Sequence, residues 1–296
     1  MAAVADTLAK PPRASRSPTW LRIKDAMRRH PTAILGAVVL AVLILMALLA
    51  PFLGTVDPQA ISPIRRLRKP SETYWFGTDM LGRDVYSRVV YGARVSLAVG
   101  LSVAILATVI GLAIGLVTGF LRWLDGIVMR VMDGLMSIPG VLLAIALMAL
   151  TKASLENVII AITVTEVPRV VRLIRSLVLT LREQPYVDAA IAAGTRTPRI
   201  LLRHILPNTV APLLVQGTYI CASAMLTEAI LSFLGAGTPP NIPSWGNIMA
   251  EGRSLFQIAN YLIFFPGIFL SLAVLSVNLL GDGLRDALDP RLARNM

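Results

Sequence analysis

The sequence predicts an all-helical integral membrane protein with six transmembrane helices, and three observations predict it. Of the 296 residues, 55% are hydrophobic and 15% charged, where a soluble domain carries about a quarter charged. Mean hydropathy is +0.70. The apolar residues fall in long runs, as a crossing of about 30 Å of hydrocarbon by roughly 20 residues requires. The third observation is the uneven placing of Lys and Arg between those runs, which orients the spans.

Residues 1–31, with "KPPRASRSP", read as a tail leading to a basic interfacial segment around residues 21–30. The first span is "TAILGAVVLAVLILMALLAPFL", residues 32–53, without a charge. It is too long for the apolar core of a cleaved signal peptide, about 7–15 residues. Residues 54–95 form a segment outside the membrane, and residues 96–296 the rest of the membrane domain. Within it the expected spans are 96–120, 131–150, 158–171, 209–233 and 261–280. The fourth reads well only if Glu166, Pro168 and Arg169 lie near a membrane face.

Six crossings leave both termini on one side. The tail, the segments 121–130 and 166–208 and the C-terminus together hold 19 Lys and Arg, against nine on the other side. That side is therefore expected to be cytoplasmic, with both termini on it. The basic "RRLRK" at 65–69 runs against this orientation, but it lies in a long loop, and long loops translocate largely regardless of charge. The net charge of +11 could suggest nucleic acid. Because the basic residues flank spans and few aromatics stand among them, membrane lipid headgroups are the expected partner and nucleic acid is not. A single cysteine, Cys221, allows no intrachain disulfide. His30 and His204 stand in no cluster with metal-ligand spacing, so neither metal nor cofactor is expected on this chain.

"GLAIGLVTG" places Gly111, Gly115 and Gly119 on one helical face. Small residues at this spacing let two backbones approach closely in lipid. Pro139 and Pro212 remove backbone donors inside the third and fifth spans and are expected to bend them.

The most polar interior stretch is "YVDAAIAAGTRTPRILLRHILPN", residues 186–208. Pro185 ends the preceding helix and can open a new one, with Asp188 in its first turn. Gly194 suits a left-handed C′ position. Thr197 as N-cap and Pro198 as first helical residue then start a second helix running to Pro207. Two readings of this helix–turn–helix stay open on physical grounds: an amphipathic element in the headgroups, with Arg199 and Arg203 on phosphate, or a slim alanine-faced helix that enters a groove on another protein.

The stretch resembles the cytoplasmic loop of ABC-importer membrane subunits, E-A-A-x-x-x-G followed nine residues on by I-x-L-P. Asp188, Ala189, Ala190, Gly194, Leu206 and Pro207 fall on that spacing, with Asp188 replacing glutamate and His204 standing at the isoleucine position. "YWFGTDMLGRDVYSRVVYGARVSLAVG" (74–100), "EAILSFLGAGTPPNIPSWGNIMAEGR" (228–253) and "FPGIFLSLAVLSVNLLGDGLRDALDPRL" (265–292) are similar to dipeptide and oligopeptide importer permeases. The resemblance covers roughly residues 31–292.

That resemblance implies an ABC type I importer permease fold in the inner membrane of a bacterium, with a coupling loop at 182–208. It implies a second homologous permease, two ATP-binding subunits and an extracytoplasmic substrate-binding protein as partners. Asp188, Ala189, Ala190, Gly194, His204, Leu206 and Pro207 would couple this chain to an ATPase. ATP and Mg would sit on the partner subunits, since no G-x-x-x-x-G-K-[ST] motif occurs here. Asp79, Arg83, Asp84 and Trp245 are candidate contacts with the binding protein. Among ionisable groups near spans, Glu228 is the candidate for the translocation path, whereas Asp133, Glu166 and Asp282 are placed near span ends. Within the group the substrates implied are dipeptides or oligopeptides, with glutathione, nickel complexes or small glycans as alternatives.

Rival classes fit less well. A secondary transporter calls for an intramembrane ion site, often in repeated halves, and no internal repeat is evident. A membrane enzyme calls for a convergent catalytic set within the spans, and a channel for a filter sequence.

Overall fold

The computed structural model of the protein describes residues 31–288. The expected tail, its segment at 21–30 and the end of "GDGLRDALDPRL" lie outside the described residues. Nine helices follow in order: α1 Pro31–Leu48, α2 Val85–Phe120, α3 Arg122–Met136, α4 Gly140–Ala149, α5 Leu155–Leu181, α6 Pro185–Ala192, α7 Thr197–Phe233, α8 Trp245–Gly252 and α9 Tyr261–Leu288. Apart from one antiparallel bridge, Thr78 with Asp84, the described residues hold no strand pairing.

Among the described residues four helices, α1, α2, α7 and α9, are long and apolar enough to cross a membrane. The expected set of six uniform spans needs two corrections. The third span is not one helix: α3 and α4 meet at 88°. Ser137 closes α3 by donating its N–H to Asp133 and Gly134, and Pro139, extended at ψ 128°, precedes α4. Pro139 thus breaks the chain direction, while Pro212 sits inside α7 without interrupting it. The fourth expected span, 158–171, lies inside a longer helix, α5, which continues through Pro168 to Leu181 and is not among the helices apolar enough to cross. Its extra turns carry arginines matched by acids on α3: Arg172 with Asp133 at 2.6 Å, and Arg175 with both oxygens of Asp125. Glu166 and Arg169, the charges that argued for an early membrane exit, pair with each other at 2.9 Å.

Close helix contacts occur where the sequence offers no side chain. Gly111, Gly115 and Gly119 face α5, where a Cβ would lie 2.5, 2.7 and 2.6 Å from the Cβ atoms of Val170, Ile174 and Val178. The expected tight contact is therefore made, and its partner is a helix of the same chain. Gly36 of α1 likewise meets the backbone of α9 at Ser276.

The two ends of the bundle differ. At one, Arg182 donates to the Gly119 carbonyl at 3.2 Å, bringing the ends of α2 and α5 together beside α6; we call this the loop end. At the other, residues 49–84 and α8 form a cap. Asp84 starts α2 by accepting from the Ser87 N–H (2.8 Å) and hydroxyl (2.6 Å). Trp245 is fully buried in the cap, its indole N–H donating to Val89 at 3.0 Å.

Candidate functional site: the helix–turn–helix at the loop end

Local chemistry sets the shape of the 182–208 loop. Gln184 is extended (ψ 141°), as a residue before proline prefers, and Pro185 opens α6 where its missing N–H costs nothing. Asp188 lies in the first turn, near the positive end of the helix dipole. After eight residues α6 ends at Gly194, which has φ +72°. There the Gly194 N–H reaches Ile191 at 2.9 Å and the Thr195 N–H reaches Ala190 at 3.0 Å, satisfying carbonyls the helix leaves open. The second helix starts one residue earlier than expected: Arg196 occupies the cap position without a side-chain bond, and Thr197 and Pro198 are already helical.

It also does not stop at Pro207. Residues 201–205 form a π turn, in which the Leu206 N–H bonds five residues back to Leu201, and the helix continues to Phe233. A proline within an α-helix lacks a donor and crowds the carbonyl four residues before it. The widened turn just ahead of Pro207 takes up that crowding and keeps the loop and the membrane helix in one rod.

An eight-residue helix has little stability of its own. α6 is held from below by Val187, Ile200 and Ile205, at most 2% exposed and part of the same apolar core as Ile174 and Val178. Its other face is open: Asp188, Ala189, Ala192, Ala193 and Gly194 are exposed, as is Ile191 at 52%. Ala190 is half-buried, His204 sits 6.3 Å from the Tyr186 ring, centroid to centroid, and Leu206 packs against the core. Of the residues named from the sequence, Asp188, Ala189 and Gly194 are on the open face, while Ala190, His204 and Leu206 join the helices. Pro207 is exposed beside the π turn.

At the cap, the four candidate contact residues are engaged inside the protein. Asp79 is fully buried and accepts from Arg83 and Arg88, each at 2.6 Å; both arginines also bind Glu251 across 163 to 168 residues of sequence. Asp84 is occupied as the α2 cap. Trp245 is buried as well. Glu251 and Arg88 were missed because no local pattern joins residues so far apart.

Glu228 is also placed differently from the expectation that it faces a path. It is fully buried in the cap half, its Oε1 accepting from Ser232 at 2.8 Å and Ser244 at 2.9 Å. Glu166, expected near a span end, lies instead near the middle of α5, 5% exposed, accepting from Ser223 at 3.0 Å and Arg169 at 2.9 Å. The expectation failed because α5 runs further than the apolar pattern showed. Asp133 does sit near the end of α3, and Asp282 accepts from Tyr219 at 2.6 Å toward the end of α9.

Comparisons with known proteins agree with this architecture. The family described as binding-protein-dependent transport system inner membrane component matches residues 95–294. The N-terminal TM domain of oligopeptide transport permease C matches residues 19–70. A probable peptide ABC transporter permease of Sinorhizobium fredii is 54% identical, covering 95% of this chain and 97% of its own. The dipeptide transport system permease protein of Alkalihalophilus pseudofirmus is 41% identical, over 92% and 90%. The glutathione transport system permease protein of Escherichia coli is also 41% identical, over 92% and 91%. Among solved structures, a chain of the methionine ABC transporter MetNI in inward facing conformations has TM-score 0.56 at 20% identity, covering 69% of this chain and 98% of that one. That likeness concerns the fold alone, a type I permease core. The chain belongs to the binding-protein-dependent transport system inner membrane components: it is a multi-pass ABC-transporter permease.

Proposed function

We propose that this permease imports dipeptides or oligopeptides across the bacterial inner membrane and is driven through the 182–208 loop. The observation that carries the loop's role is α6 itself, a short helix rooted by Val187, Ile200 and Ile205 with its small-residue face turned outward. Such a face fits a groove on another protein, and the continuous rod from Thr197 to Phe233 can carry its motion into the membrane. Asp188, Ala189 and Gly194 then meet the partner, while Ala190, His204, Leu206 and Pro207 fix how the knob joins the rod.

In this reading the chain pairs with a homologous permease, and each permease docks one ATP-binding subunit that holds ATP and Mg. The loop end and both termini are cytoplasmic, and the cap meets the substrate-binding protein. Lipid headgroups surround the basic margins. Peptide as substrate is supported by the relatives in Sinorhizobium and Alkalihalophilus. The glutathione permease among the relatives supports a second reading, glutathione, itself a peptide-like molecule.

The test is affinity copurification from gently solubilised membranes, comparing the wild type with a deletion of residues 188–194. A second permease and an ATPase are expected with the wild type, and loss of the ATPase alone with the deletion. Gly194→Pro should insert normally yet lose ATP-dependent uptake, since proline fixes φ near −65° where the chain needs a positive value. ATP-dependent uptake retained by either variant would overturn the docking role. Competition of labelled dipeptide uptake by excess glutathione separates the two substrates.

A further inference from the structure

The middle of α5 packs beside Gly111, within the apolar candidate span α2, and carries the charged pair Glu166 and Arg169. The face bearing Val170, Ile174 and Val178 is spent on α2. A quarter-turn away, Arg169 is 56% exposed in its side chain although it lies near the middle of the helix. A guanidinium there cannot rest against acyl chains without a large penalty, so this face borders water or a polar partner. Toward the loop end the same side carries Arg172, Ser176 and Thr180, all exposed. A polar seam thus runs from the loop end to the level of Glu166.

The seam ends in a pocket of about 250 Å³ at the elbow between α3 and α4. Its polar lining is Thr165, Glu166, Arg169, Ser223 and Thr227, drawn from α5 and α7. Glu166 and Arg169 form an ion pair at 2.9 Å, and Ser223 holds the second carboxylate oxygen. The volume is below the roughly 300–1,000 Å³ of a site that encloses a whole small molecule, but it suits one end of a larger one.

We infer that Glu166 and Arg169 line the translocation path at mid-membrane and contact the charged backbone ends of the passing peptide. The carboxylate takes an α-ammonium group, and the guanidinium takes an α-carboxylate through two parallel N–H bonds. When the pair opens to admit a zwitterion, each charge exchanges one counter-charge for another, so no charge is left bare in the membrane. The specificity half of this inference rests on the peptide reading above; the path half does not.

The experiment uses the assembled importer with its ATPases and binding protein in proteoliposomes. Glu166→Gln and Arg169→Gln should each lower dipeptide uptake by about tenfold or more, with all subunits still copurifying. The exchanged pair Glu166→Arg with Arg169→Glu keeps the ion pair, so rescue of transport by it would mean a structural brace and overturn the substrate contact. Normal uptake by both single variants would do the same. Independently, Thr227→Cys in a Cys221→Ala background should react with a membrane-impermeant charged thiol reagent in one nucleotide state. Leu226→Cys, on the exposed apolar side of α7, should not react. No labelling of Thr227→Cys with or without trapped ATP would overturn the path. Labelling of Thr227→Cys in an importer that carries no dipeptide would support the path while refuting peptide as substrate.

Discussion

Gly115 shows how much of this protein rests on the absence of a side chain. A Cβ there would stand 2.7 Å from Ile174 and 3.0 Å from the Val171 carbonyl, and both belong to the neighbouring helix and cannot swing away. In a bilayer, helices hold together by close packing and polar contacts, so a lost contact is not replaced by any gain from leaving water. Gly115→Leu should therefore lower stability by about 1–3 kcal/mol, read as a fall in the temperature at which the detergent-solubilised protein aggregates. Ile174→Gly in the same chain, which removes the opposing Cβ, should recover part of the loss. The glycine spacing was legible in the sequence because period and residue size together define the face. Glu251 was not: its partners Arg83 and Arg88 become its neighbours only after most of the chain has returned to the cap.

Single elements divide in the same way between what local pattern dictates and what tertiary contact decides. The turn chemistry of the loop was readable, since Pro185 and Gly194 each act through their own backbone. The lengths of α3 and α5 were not readable from hydropathy, because the ion pairs of Arg172 and Arg175 with Asp133 and Asp125 turn charged turns into packed ones. α6 is the clearest case of an element that exists by contact, being too short to persist alone. Val187→Asp places a carboxylate in the apolar seat of that helix and should release it. The expected outcome is faster proteolytic cleavage between residues 186 and 196 and loss of copurifying ATPase, with the membrane helices still protected. Ala192→Ser, on the open face, should leave protease resistance unchanged.

At the level of the whole molecule, two apolar clusters share the bundle. One gathers α2 to α7 with the roots of the loop, and the other joins α1, α8 and α9 to the cap. α7 contributes to both: Ile205 and Ile220 belong to the first, and Met225 and Ala229 to the second. α2 is shared in the same way, with Val99 and Val103 in the first cluster and Val85 and Val89 in the second, so two helices tie the loop end to the cap. The fold class and the loop were legible because hydrophobic runs and turn residues are local signals. The polar pocket beside Glu166 was not, since it gathers α5, α7 and an elbow that no single stretch of sequence announces.

The ion-pair knot of the cap also bears on how the chain is born. Arg83 and Arg88 are made long before Glu251, which stands 163 to 168 residues downstream. During synthesis these two arginines share only Asp79, so the nascent permease holds an excess positive charge at the membrane margin until α8 arrives. Completion of the knot therefore requires that nearly the whole described chain has been made.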